Sequence, residues 1–130
     1  MSTTKRPASS TLGDLLDELV TRYPSKEFII YQDQRITYGD FKKQVDILAL
    51  SLIHLGIVPG DRVALLAPNR PEWLTATFAI AKIGGITTAI STFSTSSELT
   101  WALRHCGATC LITIPSFKGN EFLKTIKSLS

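Results

Sequence analysis

The sequence predicts an α/β fold in which a mostly parallel sheet is flanked by helices. Three short segments rich in apolar and β-branched residues, at 63–67, 86–90 and 109–114, are typical of buried strands. Helix-length segments separate them, and such crossovers join parallel strands with right-handed connections. With 130 residues, 44% of them hydrophobic, the chain has enough apolar side chains for one core, so we expect one domain.

The chain is expected to begin with a flexible tail followed by a helix. Residues 1–10 are polar and aperiodic, which predicts a mobile segment. From Thr11 onward, leucines recur at helical spacing; Thr11 is placed to cap the helix with Asp14 in its first turn, and Pro24 to end it. We assign residues 11–130 to the folded domain.

A hairpin and a second helix are predicted next. The segment "EFIIYQDQRITY" reads as two strands around a turn at Asp33 and Gln34. Thr37 is a second N-cap candidate, and Gly56 ends the helix that it begins. The expected buried face of that helix consists of Phe41, Val45, Leu48, Ala49, Leu52 and Leu55.

Three further helices alternate with the three predicted inner strands. The first is expected to start at Asn69, with Glu72 completing a capping box, and to end at residues 84–85. The second follows a capping box of Thr95 and Glu98, and the last covers residues 120–129.

Charge and composition exclude several classes of function. The net charge is +3 and the basic residues are scattered among acidic ones, so we expect no nucleic-acid partner. No apolar run reaches the roughly 18 residues of a membrane span, and residues 1–10 lack a secretory signal, which favours a cytoplasmic protein. Cys106 and Cys110 have no histidine partners at zinc spacing, so we expect reduced thiols and no metal site.

The stretch "GGITTAISTFSTSSEL", residues 84–99, has two glycines and many hydroxyl groups, as a phosphate-binding loop does. Such a loop needs its glycines between a strand and the start of a helix. Here the glycines precede the strand, so a turn followed by a helix cap is the favoured interpretation. Packing or surface roles are likewise expected for six isolated candidates: Asp61, Arg62, Trp73, Trp101, His105 and Lys118.

Three blocks carry a family resemblance from about Thr11 to the end of the chain. They are "RITYGDF", "LGIVPGDRVALLAPNRPEWLTATFAIAKIGGITTAISTF" and "ELTWALRHCGATCLIT". In this order and spacing they resemble the opening of the AMP-forming acyl-CoA synthetases, the superfamily that includes luciferases and peptide-synthetase adenylation domains. The blocks look most like fatty-acid or aryl-acid CoA ligases. Many relatives have proline at the position of Ala89 and Asn or Asp at that of Ser91.

The resemblance implies a two-step reaction of a carboxylic acid with ATP and then coenzyme A, giving acyl-CoA, AMP and pyrophosphate. The family's phosphate, adenine, metal and ribose motifs do not occur between Met1 and Ser130. The chain therefore resembles an incomplete N-terminal subdomain, part of the AMP-binding domain, that is inactive alone. ATP, Mg²⁺ and CoA are implied for the full-length parent, with no cofactor held by this chain alone and no catalytic or metal residue in it.

One set of binding residues follows from the resemblance. In some relatives the loop after the second inner strand lies along coenzyme A, and the matching positions here are Ser91, Thr92 and Phe93. We also considered a short interaction module that pairs with a separate catalytic chain, and an unrelated flavodoxin-like or receiver domain. A receiver needs acidic residues at its strand ends, which are absent here. A partial sheet also predicts self-association or a missing remainder of the enzyme.

Overall fold

A computed structural model of the chain describes residues 11–129, so the predicted tail at residues 1–10 lies outside it. Five helices and seven strands follow one another within those residues. In chain order they are α1 (Leu12–Arg22), β1 (Glu27–Tyr31), β2 (Gln34–Thr37), α2 (Tyr38–His54), β3 (Arg62–Leu66), α3 (Pro71–Lys82), β4 (Ile86–Ala89), α4 (Ser96–His105), β5 (Cys110–Thr113), β6 (Ser116–Phe117), β7 (Asn120–Glu121) and α5 (Phe122–Lys127). None of the described helices is long and apolar enough to cross a bilayer.

The central sheet has three parallel strands in the order β4-β3-β5, which confirms the predicted α/β fold. Val63, Ala64, Leu65 and Leu66 of β3 are all buried, as expected for a strand covered on both faces. In contrast, β4 was predicted as an inner strand and is an edge strand among residues 11–129. It pairs only with β3 there.

Helices cover both faces of this sheet and form two apolar clusters. The larger cluster joins α1, α2, α3 and the β1–β2 hairpin, and it includes Val63. The smaller consists of Leu66, Leu99 and Phe122, with half-buried neighbours from α4 and α5. Val63 and Leu66 face opposite ways because successive side chains of a strand alternate. The clusters therefore lie on opposite faces of β3.

Threonine caps begin three of the helices as predicted. The hydroxyl oxygens of Thr11, Thr37 and Thr95 each accept a hydrogen bond from the backbone amide three residues on, at 3.1, 3.1 and 3.2 Å. Thr95 also donates to the Glu98 carboxylate at 3.1 Å. These bonds satisfy amides that the first turn of a helix leaves without partners.

The predicted start of α3 at Asn69 is wrong. The helix begins at Pro71, and its N-cap Arg70 is extended (φ −131°, ψ 164°) with no side-chain cap bond. Proline disfavours helical backbone in the residue before it, and it suits the first helical position because it has no amide to satisfy. Glu72 therefore completes no capping box, and its carboxylate lies 3.6 Å from Arg70 Nε.

Other boundaries also differ from the prediction. The β1–β2 turn is at Gln32 and Asp33, one residue early, and Gln32 has a positive φ of 52°. Leu55 is 73% exposed because α2 ends at His54, which removes Leu55 from its buried face. The short β6–β7 hairpin was not predicted, and its second strand, β7, occupies the first two residues of the expected last helix.

An ion-pair network links the three helices on one side of the sheet. Asp46 of α2 accepts hydrogen bonds from Lys42, at 2.7 Å, and from Lys82 of α3. Lys42 Nζ also lies 3.4 Å from Asp17 of α1. Burial by itself raises the pKa of Asp46, but hydrogen bonds from the two lysines and their charges outweigh it and lower that pKa. The same Asp46 bond raises the pKa of Lys42.

We expect Asp46→Asn to destabilise the chain at neutral pH, with the difference shrinking in acid. Because the folded pKa of Asp46 is depressed below its ordinary 3.8, its contribution is fully present above 3.8 and is lost as the pH falls below that value and through the lower folded pKa. Urea unfolding of the wild type and of Asp46→Asn, from neutral pH to below pH 3.8, measures the effect. Asp33→Asn, in the exposed hairpin turn, is the control. A gap that stays constant as the pH falls would contradict the network's role.

Candidate functional site

A cleft of about 540 Å³ opens at the carboxyl ends of β3 and β4. The loops that follow these two strands, residues 67–70 and 90–93, form its walls, and Tyr31, Trp73 and Phe117 complete them. Open parallel sheets bind ligands in such crevices, because loops of adjacent strands meet there. This position makes the cleft the candidate site.

The structure places the three residues matched to a CoA-lining loop together in this cleft. Their exposures differ: Ser91 is exposed, Thr92 is 7% exposed and Phe93 is 73% exposed. Ser91 Oγ accepts a hydrogen bond from the Phe93 amide at 3.1 Å, and the Thr92 carbonyl accepts one from Asn120 Nδ2 at 3.3 Å. Ser91 and Phe93 can therefore meet a ligand, whereas Thr92 anchors the loop.

Aromatic rings and cations border the cleft. The Phe93 and Phe117 rings meet edge to face with centroids 6.1 Å apart, and Lys118 Nζ lies 5.7 and 5.5 Å from the two centroids. Lys118 was predicted to be a surface residue and is exposed. Sequence reasoning missed Arg70, whose position just after β3 was the available signal. These groups offer stacking surfaces and positive charge to a ligand.

Of the two tryptophans predicted to pack, only Trp101 departs from the prediction. Trp73 is half-buried and lines the cleft. Trp101 is 65% exposed and stacks on His105, with ring centroids 4.8 Å apart. The prediction for Trp101 is wrong because α4 buries only Leu99 completely, leaving its outer face open. His105 lies in the last turn of α4, where its Nδ1 is 2.7 Å from the Trp101 carbonyl oxygen.

Asp61 and Arg62 lie at the amino end of β3, opposite the cleft, and stabilise loops. Asp61 Oδ2 accepts a hydrogen bond from the Val58 amide at 2.9 Å, and Arg62 donates to the Cys106 carbonyl at 3.2 Å. Cys106 and Cys110 are free thiols, and burial raises the pKa of Cys110. Among residues 11–129, no three His, Cys, Asp or Glu side chains group to hold a metal ion.

Comparison with known proteins covers nearly the whole described chain. The chain is 35% identical over 122 residues to YngI of Bacillus subtilis (strain 168). It is 30% identical over 129 residues to the mitochondrial medium-chain acyl-CoA ligase ACSF2 of Pongo abelii. These matches cover 92% and 98% of this chain but 22% and 21% of the relatives. The chain thus spans about a fifth of their length.

Solved structures share the fold. The anthranilate CoA ligase AuaEII, solved with anthranoyl-AMP, superposes with a TM-score of 0.81 at 28% identity, over 99% of this chain and 24% of that one. The N-terminal subdomain of Klebsiella oxytoca NpsA gives a TM-score of 0.75 at 25% identity, over 92% and 33%. These similarities confirm the predicted N-terminal subdomain fold.

The family model described as AMP-binding enzyme matches residues 16–129. That match includes every strand of the sheet and both walls of the cleft. The chain belongs to the family of AMP-binding enzymes.

Proposed function

We propose that this chain forms the N-terminal part of an ATP-dependent acyl-CoA ligase. Such an enzyme joins a carboxylic acid to coenzyme A and converts ATP to AMP and pyrophosphate. The observation that carries the proposal is the similarity, over at least 92% of the chain, to proteins named as acyl-CoA or aryl-CoA ligases. Their names point to medium-chain or aromatic acids as the substrate class, which would place the enzyme in fatty-acid or aromatic-acid metabolism.

The candidate cleft is proposed to receive part of coenzyme A. That cofactor supplies a thiol that takes the acyl group, and it carries a purine base and phosphates. The exposed Phe93 ring suits stacking against a flat base, while Arg70 and Lys118 suit its phosphates. Ser91, exposed beside Phe93, supplies a hydroxyl for a polar contact.

We propose that the acid- and ATP-activating groups, with Mg²⁺, come from polypeptide outside this sequence. The family's phosphate and metal motifs do not occur in the 130 residues. Transition states of this kind need cationic groups held around the phosphates before reaction. On this proposal the chain supplies a wall of the site where coenzyme A takes the acyl group, and the chain is inactive alone.

The intact mass of the protein isolated from its own cells, identified by a peptide such as "LGIVPGDR", tests this proposal. We expect a species several times heavier than 14.3 kDa. In an activity assay, that species should release pyrophosphate from ATP when given CoA and a medium-chain or aromatic acid. The 130-residue chain alone should release none. A native mass of 14.3 kDa would contradict the proposal and favour a short module working with a separate catalytic chain.

In the ligase that carries this sequence, Phe93→Ala is expected to raise KM for CoA about tenfold, with KM for ATP unchanged, because only base stacking is lost. Steady-state kinetics with each substrate varied in turn measure this. Leu55→Ala is the matched control, since Leu55 is also 73% exposed but lies outside the cleft. Equal effects on both KM values would contradict a CoA contact at Phe93.

A further inference from the structure

The loop at residues 91–93 forms a tight turn after β4. The amides of Phe93 and Ser94 both donate to Ser91, at 3.1 Å to its Oγ and at 3.2 Å to its carbonyl oxygen, respectively. Such bonds fix the shape of the turn, but they do not fix its direction relative to the sheet. The direction in which the Phe93 ring projects therefore depends on contacts with other segments.

The β6–β7 hairpin supplies those contacts. Asn120 Nδ2 donates to the Thr92 carbonyl oxygen at 3.3 Å, and the Phe117 ring meets the Phe93 ring edge to face. One hairpin thus holds two consecutive residues of the loop, the first by its backbone and the second by its ring. Thr92 is 7% exposed, so its backbone has little access to water and depends on a donor from the protein.

The geometry of this hairpin directs both contacts to the same side. Lys118 and Gly119 have positive φ angles of 48° and 85°, as both central residues of a type I′ turn require. Phe117 and Asn120 flank the turn and pair directly across the two strands. Directly paired residues project from the same face of a hairpin, so both side chains reach the 91–93 loop.

The hairpin is also tied to the core. Phe122 follows β7 directly and is 1% exposed in the smaller apolar cluster, against Leu66 of β3 and Leu99 of α4. Lys118 has a backbone conformation that is strained for a residue with a side chain, and strain of this kind is common near functional sites. The support beneath the loop is therefore anchored to the central sheet.

We propose that Asn120 is a positioning residue of the coenzyme A site, which holds Phe93 in place through the Thr92 carbonyl. This inference rests on the function proposed above, because it concerns the same cleft. Asn120 is not among the residues that line the cleft, so it acts through the loop and does not touch the cofactor. A ring that is fixed before the ligand arrives loses less conformational entropy on binding, which favours CoA.

Asn120→Ala in the ligase that carries this sequence tests the proposal. We expect KM for CoA to rise about fivefold because one hydrogen bond to the loop is lost, with kcat and KM for ATP within about twofold of wild type. Ser116→Ala is the matched control. Ser116 is exposed in β6 of the same hairpin, and removing its hydroxyl leaves both contacts with the loop intact.

A double variant separates positioning from a general structural role. If Asn120 acts through the Phe93 ring, Asn120→Ala should change KM for CoA little in a protein that already carries Phe93→Ala. Additive effects of the two substitutions would overturn the proposal. So would an Asn120→Ala variant in which KM for ATP rises as much as KM for CoA.

Hydrogen exchange of the protein without CoA distinguishes failure of this proposal from failure of the proposed function. The amides of Phe93 and Ser94 should exchange at least about threefold faster in Asn120→Ala, and at the wild-type rate in Ser116→Ala. Unchanged exchange in Asn120→Ala would overturn the positioning role, whatever the ligand.

The kinetic results complete that distinction. If exchange becomes faster and Phe93→Ala raises KM for CoA but Asn120→Ala does not, the proposal is overturned and the CoA site stands. If neither variant raises KM for CoA, the cleft is not the CoA site, and this inference is overturned together with that part of the proposed function.

Discussion

Phe41→Ala is expected to remove a large part of the folding stability of the isolated chain. Phe41 is fully buried in α2, and its ring centroid lies 5.0 Å from that of Phe28 of β1 and 5.3 Å from that of Phe78 of α3. One side chain therefore joins the hairpin to two helices. Removing a buried phenylalanine costs about 3 to 5 kcal/mol, a large part of the roughly 5 to 15 kcal/mol that stabilises a whole domain.

Urea titration followed by tryptophan fluorescence measures this loss as a fall in the midpoint concentration. Leu55→Ala is the control, because that side chain is 73% exposed and its removal leaves no cavity. We expect its unfolding midpoint to match wild type. A Phe41→Ala protein as stable as Leu55→Ala would show that the hairpin and the two helices do not depend on this aromatic cluster.

Gly84→Ala is the second variant expected to have a large effect, of about 2 to 4 kcal/mol. Two causes add. Gly84 has a φ of 81°, which a side chain disfavours, and a Cβ atom there would lie 3.0 Å from Pro59 Cβ. The carbonyl of Gly84 also accepts a hydrogen bond from the Gly60 amide at 2.9 Å. This turn holds the end of α3 against the loop that leads into β3.

Gly56→Ala separates the two causes. Gly56 also has a positive φ, of 96°, but an added Cβ would meet nothing within 4 Å. We expect a loss of about 1 kcal/mol from backbone strain alone. The difference between the two variants, measured by urea unfolding, gives the steric cost at Pro59. Equal losses would mean that the loop moves aside freely.

The glycines at 84–85 show what local sequence patterns were able to predict. Glycines before a strand predicted a turn instead of a phosphate loop, and the close approach of Gly84 to Pro59 supports that interpretation. Which residues line the cleft was harder to predict from the sequence. Arg70 and Tyr31 are distant from the 91–93 loop in sequence, and only the pairing of β3 with β4 brings the loops after those strands together. No periodicity within one segment encodes that proximity.

The sequence determined those elements that are stabilised by interactions between residues close together in the chain. Threonine caps, helix-ending glycines and the continuous apolar run of β3 act over a few residues, so the positions of α1, α2, α4 and the parallel strands were predictable. The start of α3 was local too, but the effect of Pro71 on its neighbour outweighed the capping signal at Asn69.

Burial, in contrast, was decided by tertiary structure. Trp101 and Leu99 both have apolar side chains on α4, yet Leu99 is 1% exposed and Trp101 is 65% exposed. A helix buries whichever face its neighbours cover, and those neighbours come from distant segments of the chain. Likewise β4 looks like an inner strand by composition, but the strand order within residues 11–129 places it at the edge of the sheet. Whether a surface is core or open to a partner depends on long-range packing, which the residues of one segment do not specify.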